Sequence, residues 1–112
     1  MKVVINRCYG GFGVSTAAVL AMRERWSEWA KQEVLKGEAY PDGRIEDFDY
    51  NSHSYGLSRN DADLIAVVEA MGKEADGEHA DLRIVEIPDG VEFEIDDYDG
   101  MESIHEAHRS WP

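Results

Sequence analysis

Positions 2–7, KVVINR, place Val3, Val4 and Ile5 in one unbroken apolar run, the pattern of a strand covered on both faces. A helical period follows. Val19, Met22, Trp26, Trp29 and Ala30 recur at three- and four-residue spacing, while Arg23, Glu24, Glu28, Lys31 and Gln32 fill the other faces. Capped by Ser15 or Thr16 and stopped at Gly37, this predicts one helix to about Lys36. The pattern then weakens over 37–58. YPDGR is a turn signal, Ile45, Phe48 and Tyr50 suggest a short strand, and NSHSYGLS has loop composition, with His53 a loop residue.

Order returns at RNDADLIAVVEAMGKEADG. Asn60 or Asp61 is the expected cap and Asp63 suits the positive end of the helix. Leu64, Val67, Val68, Met71 and Ala75 form the inward stripe, with Gly77 as the stop. LRIVEIPDGVEFEI then predicts two strands joined as an antiparallel hairpin at Pro88-Asp89-Gly90. In the second strand Val91, Phe93 and Ile95 alternate with Glu92, Glu94 and Asp96, so one face is wet. A last helix over 101–109 is expected, with Ile104 and His108 inward. The order β-α-(β)-α-β-β-α implies a small single-domain α+β sandwich over residues 1–112, a mixed sheet with helices packed on it.

Composition narrows the partners. Eleven Lys+Arg against 24 Asp+Glu give a net charge of -13, which argues against direct nucleic-acid binding, where clustered cations are needed. The same charge permits plain solubility, a basic protein partner, or mimicry of nucleic acid. No apolar run approaches the roughly 20 residues of a membrane span, and MKVVINR lacks the apolar length of a signal peptide. A single cysteine, Cys8, suits a reducing cytoplasm. Short exposed sheet edges and three tryptophans suggest a homodimer or higher homo-oligomer.

The candidate chemistry centres on INRCYGGFGVST. A strand, a glycine turn and a helix start together make an anion site, because first-turn N–H groups lack helical partners. GGFGVST can be laid against the GGVGKST loop of partition-type ATPases, but the phosphate-reaching lysine is Val14 here and the signature lysine is Tyr9. A dinucleotide fingerprint fits Gly11 and Gly13 and fails at Thr16. Hydrolysis is therefore not expected. A phosphate-bearing small molecule or nucleotide is the expected ligand. Gly10, Gly11, Gly13, Ser15 and Thr16 would hold the phosphate, Arg7 would supply charge, and Tyr9 or Phe12 would stack on a ring. The alternative is that the glycines serve only a tight turn. His105 and Arg109 join the ligand set if the HRSW tail folds over.

Other constellations are weaker. Cys8 precedes a helix start, which can activate a thiol, yet no His-Asp partner is evident in the sequence. Glu102, His105 and His108 share a helix face but lack a fourth ligand, so no metal and no cofactor are expected. A calcium loop at Asp97, Asp99, Gly100 and Glu106 fails because its first position is Ile95. Glu92, Glu94, Asp96, Asp97 and Asp99 instead form a negative face, suited to an acidic inhibitor or nucleic-acid mimic acting on a host protein.

INRCYGGFGVS, DLIAVVEAMGKEADG, LRIVEIPDGVEFEIDDYDG and HEAHRSW together resemble a family of small acidic proteins common in phage and prophage genomes. The resemblance lapses over 37–58. It implies a viral origin and the cytoplasm of a bacterial host. It also implies a role against host defence, by sequestering a nucleotide signal or occupying a host protein's nucleic-acid site.

Overall fold

The structure is a computed structural model that describes residues 1–46 and 51–106. Its elements run β1 (Lys2–Asn6), α1 (Thr16–Glu24), α2 (Glu28–Gln32), α3 (Ala62–Met71), a 3₁₀ turn (Gly72–Ala75), β2 (Leu82–Glu86), β3 (Phe93–Tyr98) and β4 (Met101–Glu106). Helices and small antiparallel sheets make an α+β fold.

β1 is the spine. It pairs antiparallel with β2, with Val3 opposite Val85 and Ile5 opposite Arg83. Its other edge is closed by unlike partners: the Val4 N–H donates to Arg59 O at 2.8 Å, and the Asn6 N–H to Glu102 Oε1 at 2.8 Å. With both edges occupied and both faces covered, Val3, Val4, Ile5 and Asn6 are all buried. One face of β1 joins the helices, where Val4 and Leu82 pack with Ala18, Val19, Met22, Leu64, Val67 and Val68.

The expected long helix is two. Trp26 adopts φ 64°, the left-handed conformation that normally selects glycine. The Ser27 N–H reaches back to Met22 O and the Trp26 N–H to Arg23 O, closing α1. Ser27 then caps α2 by accepting from the Ala30 N–H. Arg23 locks the pair, its guanidinium donating to Ala30 O, Glu33 O and Glu38. Asp61 caps α3 as expected, but Gly72, not Gly77, ends it.

The C-terminal region differs most. β2 and β3 do not pair with each other, and the expected helix over 101–109 is a strand as far as Glu106. β3 pairs with β4 instead, Glu94 facing His105 and Asp96 facing Ser103. The two turns differ in backbone conformation. Asp99 and Gly100 both take positive φ, 49° and 91°, the requirement of a two-residue hairpin, whereas of Asp89 and Gly90 only Gly90 does. The sheets are antiparallel, not mixed. Within 37–58, Ala39 bridges Ile45 across a Tyr40–Arg44 turn. Phe48 and Tyr50 lie outside the described residues.

Candidate functional site

The glycine loop is packed into the fold, backbone against backbone. A Cβ on Gly10 would meet His79 O at 1.9 Å, and one on Gly100 would meet Gly11 N at 2.5 Å. Gly13 lies against Ser52, and its carbonyl accepts from the Gly77 N–H at 2.8 Å. Val14 bridges His53 on one side and Asp76 on the other. The loop is thus a wedge between segments that come from three distant parts of the chain.

The donors expected to hold a phosphate are largely engaged. The Thr16 N–H donates to Asn51 Oδ1 at 2.7 Å, and the Ala18 N–H to Ser15 Oγ at 3.1 Å. The Ser15 hydroxyl itself donates to Glu74 O at 2.6 Å, and Ser15 is buried. Side chains thereby do what an anion would do at this helix start.

The aromatics part company. Tyr9 is 62% exposed, while the Phe12 ring lies 3.5 Å beneath the Arg59 guanidinium. Arg59 forms a two-pronged pair with Glu102 on β4, Arg59 Nη2 to Glu102 Oε2 being 2.7 Å. The Arg7 Nη1 donates to Glu102 O at 2.6 Å. Buried Asn6 completes the node, donating to Cys8 O and Gly100 O and accepting from the Asp81 N–H. Arg59 escaped the sequence analysis because its partners lie 43 and 47 residues away, with no local pattern to mark it.

On the helix side, Thr16 meets a residue read from sequence as loop. Thr16 Oγ1 is 3.1 Å from His53 Nε2, and His53 Nδ1 is 3.0 Å from Glu33 Oε1. His53 is 5% exposed and is pinned by reciprocal backbone bonds with Val14, each 2.9 Å. Glu33 and His53 also border a polar cavity of about 250 Å³ with Lys36, Tyr40 and Tyr55.

His105 stands apart from the glycine loop. On β4 the alternation sends Glu102 and Ile104 to one face and Ser103 and His105 to the other. There the imidazole lies 3.2 Å from both Glu94 Oε2 and Asp96 Oδ2. Arg109, His108 and Trp111 lie outside the described residues. Among the described residues no cluster of His, Cys, Asp and Glu is arranged to hold a metal ion, and no helix is long and apolar enough to cross a membrane.

No protein-family model matches the chain, and no curated protein or solved structure is similar enough to count as a match. The functional reading therefore stands on geometry.

Proposed function

We propose that this protein binds a basic partner protein through the outward face of the β3–β4 hairpin. The observation that carries this is charge segregation. Residues 91–106 contain no lysine or arginine; Glu92, Glu94 and Asp96 alternate onto the outward face and are exposed, as are Asp97 and Asp99 at the turn end. Glu102, on the opposite face, turns inward to Arg59. Carboxylates two apart along a strand repeat at about 7 Å, a regular negative row. Exposed Tyr98 offers an aromatic anchor at its end. In the viral setting that the sequence resemblance implies, the partner is a host nucleic-acid-binding protein, met in the cytoplasm, whose phosphate site these carboxylates occupy.

The test is fluorescence anisotropy with an arginine-rich peptide at stepped salt. Affinity falls with ionic strength, and Glu94→Lys with Asp96→Lys weakens it about tenfold or more. A control reversal of exposed Glu24 and Glu28, equal in net charge, changes it far less. Equal weakening by both sets overturns the reading, since it would mean net charge alone.

A second reading keeps the phosphate-bearing ligand and moves it behind the sheet. Arg7 and Arg83 line an open cleft of about 530 Å³ with Ile5, Val85, Ile104 and Asp81, whose carboxylate pairs with Arg83 at 3.0 Å. Two guanidinium groups, one of them shared with Asp81, beside apolar side chains suit an anion attached to a ring. Thermal shift with a nucleotide panel checks it; the shift should vanish in Arg7→Ala.

A further inference from the structure

We propose that Thr16, His53 and Glu33 form an acyl-transfer centre in which Thr16 attacks a carboxylic ester. A hydroxyl, an imidazole and a carboxylate stand in sequence, at 3.1 Å and then 3.0 Å. That is the arrangement by which a base activates a weak nucleophile while a third group orients the base. The three residues come from the start of α1, the end of α2 and the segment beyond residue 50. Their convergence is a product of tertiary structure.

The geometry is held from both ends. His53 and Val14 exchange backbone bonds, two positions before Thr16, and the Thr16 N–H is fixed by Asn51. The imidazole is buried, while Thr16 is half-buried and Ala17 exposed, so the chain of groups runs from solvent inward. Here the outermost group is the hydroxyl of half-buried Thr16. The Ala17 N–H in the same first turn is a donor without a helical acceptor, the kind of group that stabilises an oxyanion.

The step balances without a co-reactant other than water. His53 Nε2 takes the hydroxyl proton as Thr16 Oγ1 bonds to the acyl carbon. The bond to the leaving alcohol breaks, and His53 returns the proton to that oxygen. Water then adds to the acyl-threonine, its proton passing to His53. The Thr16 oxygen leaves, recovers that proton, and a carboxylic acid departs. Glu33 accepts from Nδ1, fixes the tautomer and stabilises the imidazolium; it is a positioning residue.

The experiment treats the full chain with p-nitrophenyl acetate, following nitrophenolate release and mapping the acetyl group by peptide mass spectrometry after acid quench. The expected result is acetyl on Thr16, lost in Thr16→Val and kept in Thr16→Ser. His53→Gln should slow release about 100-fold or more. Glu33→Gln should lower kcat with KM unchanged. Acetyl found only on amines or tyrosines, or release unchanged in a folded Thr16→Val, overturns the proposal. If Thr16→Val does not fold, Thr16→Ser decides: acetylation away from residue 16 in that variant overturns it equally.

Discussion

Arg59 and Glu102 meet in a two-pronged ion pair that ties the start of α3 to the second strand of the hairpin, and Phe12 of the glycine loop lies under the guanidinium. The Glu102 side chain is 5% exposed and also accepts the edge N–H of β1 at Asn6. One carboxylate thereby joins the sheet, the loop and the hairpin.

Removing Arg59 leaves the Glu102 carboxylate buried without its counter-charge. Arg59→Ala should cost about 3 kcal/mol, at the low end for a buried pair because Arg59 is partly exposed. Urea unfolding of Arg59→Ala, Glu102→Gln and the double variant checks this. The double variant should cost less than the sum of the two singles.

The glycines separate into two kinds. A methyl group on Gly13 collides mainly with Ser52 Oγ, at 1.9 Å. Gly13→Ala should therefore destabilise, and Ser52→Gly in the same chain should restore part of the loss. On Gly100 the obstacles are the backbone at Gly11 and Tyr9, and φ is 91°. Gly100→Ala should be destabilising by about 2 kcal/mol or more, since no side chain can move aside. Thermal unfolding of the three variants distinguishes the cases.

Glu38 supplies an acid-sensitive contact. Its hydrogen bonds from Arg23, together with the Leu35 N–H, hold its pKa at about 2 against an ordinary 4.5. The folded value lies below the unfolded one, so the stabilisation is full above about pH 4.5. It is lost as pH falls toward 2. The carboxylate is 41% exposed, so screening reduces its worth to about 1 kcal/mol. Glu38→Gln should flatten the stability curve across that window, as urea unfolding at stepped pH would show.

Uncompensated charge should make the protein salt-stabilised. At a net charge of -13, self-repulsion opposes the compact state and added salt screens it. Tm should rise with sodium chloride. Asp96→Asn and Asp97→Asn should raise Tm at low salt and reduce its dependence on salt. A Tm that falls with salt would mean that ion pairs such as Lys2–Glu69 and Arg25–Asp63 dominate.

Much of the local structure was legible. The buried run of β1, the Asp61 cap and apolar stripe of α3, and the α+β class all follow from side-chain period and capping chemistry. The break at Trp26 was written less clearly. Ser27 is an ordinary cap, but a tryptophan in left-handed conformation is costly, and the uninterrupted apolar stripe disguised it. Asp89-Gly90 announced a hairpin turn, Asp99-Gly100 stood before an expected helix, and only tertiary contacts decided which became the hairpin. Gly100 fits against Gly11, and Glu102 finds Arg59, whereas Asp89 is drawn to the N-terminal ammonium.

The sequence by itself determined the strand of β1, the caps at the starts of α1 and α3, the negative face near residues 92–99, and the strand-glycine-helix order of INRCYGGFGVST. Tertiary structure decided what that loop does. Its N–H groups are taken by Asn51 and Ser15, Phe12 by Arg59, and Thr16 is set against His53 and Glu33. The physical reason is range. Capping and period act over a few residues, as the Ser15 cap does, whereas Glu33 (through His53), Asn51, His53 and Arg59 lie 17 to 47 positions from the loop residues they meet, outside the reach of any local pattern.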